Sequence, residues 1–247
     1  MVVSTLIPAA MSATLLLAPA AAAADDPGAR QLADEALDNL LDAESVRLKL
    51  TDRSKDTASS RTAPTSLDLA LDRDGNCVGV MDMARHGGHV EIVKQGDEVW
   101  MKPDADFWKA QVPGGQGDAA AELFEDRYIH GSVHDPMLRG MADLCDLDSF
   151  QKQVGAGETR ATDLKKGERT ERDGTEVIPL TGREDGKNVT MYVTADSPHR
   201  AVEMTQRGGG TDTTVTFDDY DKPVPTKTPS PDDSVDIGRL RQELQGT

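Results

Sequence analysis

The sequence predicts an α+β protein built on antiparallel strands, and three observations carry that prediction. Runs of alternating apolar and polar residues recur along most of the chain, the period of two that a pleated strand imposes. Turn signals such as Asp74-Gly75, Gln95-Gly96-Asp97, Asp173-Gly174 and Asp185-Gly186 separate these runs at hairpin spacing. Helical periodicity is confined to the start and the middle, so strands and helices do not alternate as βαβ units.

In chain order, residues 1–24, MVVSTLIPAAMSATLLLAPAAAAA, contain no charged group and end in an Ala-x-Ala pattern before Asp25. This is the apolar region and cleavage site of a secretory signal peptide, which places the start of the mature chain near Asp25. The run is interrupted by Ser, Thr and two Pro and makes a poor membrane-spanning helix. No Lys or Arg precedes Arg30, so the usual positive leader is absent.

Residues 29–41 form an amphipathic helix, with Ala29, Leu32, Ala33, Ala36, Leu37, Leu40 and Leu41 on one face. Strands follow at 46–53 and 67–72, joined by a polar loop at 54–66. Asp74-Gly75 then turns the chain into a strand at 77–83. The hairpin at 89–102 comes next, ended by Pro103, which cannot donate to a ladder. Trp100, Phe107 and Trp108 bring together three of the nine aromatic residues, marking an anchor of the core.

The middle changes period. Asp118 caps a short helix at 119–125, and Asp135-Pro136 starts another that puts Met137, Met141 and Leu144 on one face. Asp148 and Gln151 read as the capping box of a third, ended by Gly155. A second meander occupies 164–170, 176–181, 189–195, 201–206 and 213–220. The domain organisation is therefore a signal peptide at 1–24, one domain at 25–225, and a Pro-rich tail at 226–247 with a short terminal helix at 237–244.

Composition narrows the function. The chain has 247 residues, with 27 Lys+Arg against 44 Asp+Glu and a formal charge of −17. Such a surface repels nucleic acid and anionic headgroups, so no nucleic-acid partner is expected. With 37% apolar and 4% aromatic residues, one shared core is favoured over two, and the protein is expected to be a monomer. Cys77 and Cys145, an even pair in an exported chain, are expected to form one disulfide.

No constellation carries chemistry. His86 and His89 sit on a Gly-Gly turn, and His130 and His134 have helical spacing but are flanked by Gly131 and Pro136. His130-Gly131-Ser132 lacks the nucleophile-elbow pattern. Asp72 to Asn76 reads as turn chemistry, because its glycine comes too early for a calcium loop, and Asp218, Asp219 and Asp221 read as a solvated cluster. The expectation is a protein that is not an enzyme and takes no cofactor or metal.

The segments LDLALDRDGNCVGVM, VEIVKQGDEVWMKPDADFWK and MADLCDLDSF resemble actinobacterial cell-envelope lipoproteins of the LppX/LprG-like type, which are similar in plan to LolA-type lipoprotein carriers. The likeness covers roughly residues 33–225. It implies a single curved antiparallel sheet, an unclosed half-barrel wrapped over a few helices, with an apolar cavity that holds acyl chains in related members. Lipidation of that family occurs at a Cys directly after the signal peptide, whereas this sequence has none before Cys77. A lipid anchor is therefore not expected.

The resulting expectation is an exported envelope protein that binds or carries an amphiphilic, lipid-like ligand. Its cavity is expected to be lined by Leu69, Leu71, Val99, Met101, Trp100 or Trp108, Met137 and Met141, the side of Trp100 depending on strand register. The alternative is a non-catalytic interaction module with a filled core and an envelope protein as partner.

Overall fold

A computed structural model describes residues 27–60, 62–112, 114–156 and 161–239. The sequence-predicted signal peptide lies outside them, as does the terminal helix from residue 240 onward. One sheet organises everything else. The first meander comprises β1 (Ser45–Asp52), β2 (Pro64–Asp72), β3 (Cys77–Met83), β4 (His89–Gln95), β5 (Glu98–Pro103) and β6 (Tyr128–Ser132). The second comprises β7 (Thr162–Lys166), β8 (Thr170–Arg172), β9 (Thr175–Glu184), β10 (Lys187–Thr194), β11 (Ala201–Gly208) and β12 (Thr211–Asp218).

The halves join where β12 pairs with β1, antiparallel, from Arg47 opposite Asp218 to Asp52 opposite Thr213. The strand order is β13-β6-β5-β4-β3-β2-β1-β12-β11-β10-β9-β7, with β8 also on β9. Here β13 (Ser234–Asp236) lies parallel to β6, and every other pairing is antiparallel. The sheet is unclosed, the architecture expected from the sequence.

Register explains why one face is buried. Leu180, Met191, Met204, Val215, Leu50, Leu67, Met81, Val90 and Pro103 stand directly opposite one another in a row across nine strands. With a side-chain period of two, that row fixes the inner face for the whole sheet. Gly79 sits opposite Leu69 on the same face, where an added Cβ would lie 2.0 Å from the Asp68 carbonyl oxygen and 2.8 Å from a Leu69 methyl. At the second-half hairpins, Asp173-Gly174 and Asp185-Gly186 take positive φ at both residues, the geometry that matches strand twist.

Six α-helices among the described residues complete the fold. The first, α1 (Pro27–Asp42), buries Ala29, Leu32, Ala33, Ala36 and Leu40 and packs on β7, β10 and β11. The predicted loop at 54–66 contains α2 (Lys55–Ser59). The aromatic stretch after β5 is helical, α3 (Ala105–Gln111), because Asp104 accepts a hydrogen bond from the Phe107 amide at 2.8 Å and caps it. Next, α4 (Gly117–Leu123) begins before its predicted cap at Asp118.

The helix expected to start at Asp135-Pro136 begins later, as α5 (Arg139–Leu144). The Asp135 carbonyl instead accepts from the amides of Leu138 and Arg139 in a preceding turn. The third is α6 (Leu147–Ala156), and its cap is Asp146, which accepts from the Ser149 amide at 2.8 Å. Gln151, read from sequence as half of a capping box, is buried and donates to the Leu40 and Ala43 carbonyls.

Cys77 and Cys145 are bonded, with both side chains fully buried. The bond ties β3 to the turn between α5 and α6. After β12, the Asp221 amide and the Lys222 carbonyl are held by Ser45. The Pro-rich stretch then passes over the outer face, where Thr228, Pro229 and Pro231 lie beside Trp100 and His130, before β13 joins the edge. Ile237 enters the core.

Candidate functional site

The two halves of the inner face are covered unequally. Beneath the first meander α3 and α5 pack on the sheet, Ala120 and Ala121 of α4 and Leu147 of α6 join the same core, and Leu69, Leu71, Val99, Met101, Ile92 and Ile129 are all within 3% of complete burial. Beneath the second meander, among the described residues, only α1 and α6 are available. Between them and the sheet runs a groove of about 350 Å³.

Its apolar walls follow from the sequence patterns of four strands and two helices. Leu180 on β9, Val189 and Met191 on β10, Met204 on β11, and Val215 and Phe217 on β12 form the floor. Ala33 and Leu37 from α1, with Phe150 and Val154 from α6, form the roof. Leu37, Phe150, Val154, Val189, Met204 and Val215 are only half-buried, so the groove opens to solvent. An apolar concavity of this size falls at the low end of the ligand-pocket range, about 300–1,000 Å³.

One rung toward the ends of the strands, the floor turns polar. Gly182, Val189, Gln206, Thr213 and Asp52 stand opposite one another in the next inner-face row. Asp52 is occupied: it accepts from the Ser54 amide at 2.8 Å and the Thr57 hydroxyl at 2.6 Å, with Thr213 at 3.4 Å. Those hydrogen bonds outweigh its partial burial and hold its carboxyl below the ordinary value. Glu184, at the end of β9, takes one hydrogen bond from Gln206 at 3.2 Å and lines the groove. The arrangement offers an apolar trough with a polar end. It contains no nucleophile–base pair.

The residues expected from sequence to line a cavity are placed elsewhere. Leu69, Leu71, Val99 and Met101 share the inner face but belong to the filled half. Trp108 is buried in α3, stacked on Phe124 at 5.2 Å between ring centroids. Met141 is half-buried against the core, while Met137 is 47% exposed because it precedes α5 in the turn. Trp100 is corrected to the outer face: Val99 and Met101 point inward, so the residue between them points outward, stacked on His130 at 4.5 Å. None of these eight residues lines the groove.

The groove residues were visible as alternating positions in the second meander and as an i, i+4 pair, Phe150 and Val154. Aromatic clustering pointed to the other half. The predicted polar clusters are internally paired in the structure. Asp72 holds the amide and side chain of Asn76, while Asp218, Asp219 and Asp221 pair with Lys49, Lys222 and Arg200. His89 contacts Asp82 at 2.7 Å. Among the described residues no helix is long and apolar enough to cross a membrane.

Comparison with solved structures identifies the fold. LprF from Mycobacterium bovis superposes with a TM-score of 0.56 at 15% identity, covering 84% of this chain and 99% of that one. The lipoprotein LppX of Mycobacterium tuberculosis superposes with a TM-score of 0.51 at 16% identity, covering 82% and 100%. The architecture is thus that of LprF and LppX, the LppX-like fold which the sequence resembles. No protein-family model matches the chain, and no curated protein matches it.

Proposed function

We propose that the protein binds and carries an amphiphilic, lipid-like ligand in the cell envelope, with its apolar part in the groove beneath β9–β12. The observation that carries this reading is the unequal cover of one continuous apolar face. Leu180, Met191, Met204 and Val215 continue the row that fills the first half, yet while Leu180 and Met191 are buried, Met204 and Val215 stay half-buried beneath Leu37, Phe150 and Val154. Burying apolar surface releases about 25 cal/mol per Å², so an acyl chain laid there gains what a core side chain gains elsewhere. The likeness to LppX-like proteins, and the acyl-holding cavity which that resemblance implies, support the same reading. On this proposal the chain acts by binding and not by catalysis.

The alternative, a non-catalytic interaction module with a filled core, would present its acidic surface or its Pro-rich tail to an envelope protein, and the tail is the less suited of the two. Its described part is docked: Ser45 holds Asp221 and Lys222 just before it, and β13 within it pairs with β6. Titration of the purified full chain with the neutral fluorophore N-phenyl-1-naphthylamine tests the reading. Saturable binding that Met204→Trp abolishes supports carriage. Absence of binding to a folded wild-type protein rejects it.

A further inference from the structure

The charge of the groove's polar end restricts the ligand that enters it. Among the described residues that line the groove, Glu184 alone carries a charge. The polar neighbours Gln153, Gln206, Thr190, Thr205 and Thr213 are neutral amides and hydroxyls. Gln206 donates to Glu184 Oε2, which orients the carboxylate at the trough's end. Lys187 stands opposite Glu184 across the hairpin but does not line the groove. The formal charge of −17 adds a repulsive field for any anion that approaches.

Resting on the carrier reading above, we propose that this groove selects a single-chain amphiphile with an uncharged, hydroxyl-bearing head, and that Glu184 and Gln206 recognise that head. A phosphate or free carboxylate would be brought against the Glu184 carboxylate with no cation among the described lining residues to offset it. A glycerol or sugar hydroxyl instead donates to the carboxylate and accepts from a side-chain amide, both of which are at hand. The volume of about 350 Å³ suits one chain better than a bundle of chains.

Displacement of bound N-phenyl-1-naphthylamine from the full chain, below micellar concentrations, tests this with two probes that share one oleoyl chain: monooleoylglycerol and oleoyl lysophosphatidate. Monooleoylglycerol is expected to compete at least about tenfold better, the ratio set by one close like-charge contact in partial solvent. Glu184→Gln is expected to narrow that ratio to about threefold or less by improving the lysophosphatidate, and Glu184→Lys to reverse it. Equal competition, or preference for lysophosphatidate by the wild type, overturns the head selection and leaves the carrier reading standing. Selectivity unchanged in both folded variants overturns the role of Glu184. Failure of the fluorophore and both lipids to bind overturns the carrier reading itself.

Discussion

Gln151 on α6 donates a hydrogen bond to the carbonyl of Leu40 on α1, 3.0 Å away and 111 residues distant in sequence. The same amide nitrogen reaches the Ala43 carbonyl at 2.9 Å, while Arg73 takes the Leu41 carbonyl at 2.7 Å. These contacts satisfy the Leu40, Leu41 and Ala43 carbonyls at the end of α1, and those from Gln151 tie together the two helices that roof the groove.

Gln151→Leu keeps the side chain's bulk but takes the side-chain donor from the buried Leu40 carbonyl, while the Ala43 carbonyl keeps Arg73 Nε at 3.1 Å. It is expected to destabilise the fold by about 1–3 kcal/mol, read from urea denaturation. A variant as stable as the wild type would show that water replaces the amide.

The disulfide closes a span of 68 residues. Loop-closure entropy predicts that the Cys77→Ser, Cys145→Ser double variant loses about 4 kcal/mol relative to the oxidised protein. Denaturation with and without reductant measures this. Reductant should shift only the protein that retains both cysteines.

Filling the groove separates binding from folding. Met204→Trp adds bulk to a half-buried floor position, so stability is expected to stay within about 1.5 kcal/mol. Affinity for N-phenyl-1-naphthylamine is expected to fall at least about tenfold. The paired measurements are a fluorescence titration and a thermal melt.

Glu91 provides a pH signature. Burial raises a carboxyl's pKa, but hydrogen bonds from Lys102 and Tyr128 outweigh it and hold Glu91 below its ordinary value. Burial and the Glu91 contact together push the Tyr128 hydroxyl up to about 12. A carboxylate with a lowered folded pKa stabilises fully above its unfolded value, near 4.5, and loses that contribution as pH falls through the folded one. Glu91→Gln is therefore expected to lower Tm at neutral pH, and the gap from wild type should close on acidification below that range. A gap independent of pH would contradict this account.

Much of the fold was legible because strand periodicity and turn residues are local. The 77–83 strand, the β4–β5 hairpin and the second meander all emerge near their predicted places. Asp104 and Asp146 show where local reading stops: each is an unexceptional acidic residue until its helix is seen to start there. β6 was missed because Tyr128 to Ser132 is short and glycine-containing, and its pairing depends on β5, about 30 residues back. The groove was missed for a different reason. A cavity is set by what fails to cover a surface, and the shortage of helix over β9–β12 appears in no single stretch of sequence. The second meander was read as strand ranges with no face assigned to Met191, Met204 or Val215, and only the long-range β1–β12 pairing puts them in line with the first-half core.

The central claim is that the groove between Leu37, Phe150, Met204 and Val215 carries an acyl chain. Native mass spectrometry of the protein purified from its own host, before and after organic extraction, tests it most directly. The account predicts added mass that leaves with the solvent, is identified as a single-chain lipid, and is missing from Met204→Trp purified in the same way. An unliganded mass before extraction, from folded protein that also refuses added monooleoylglycerol, would contradict it.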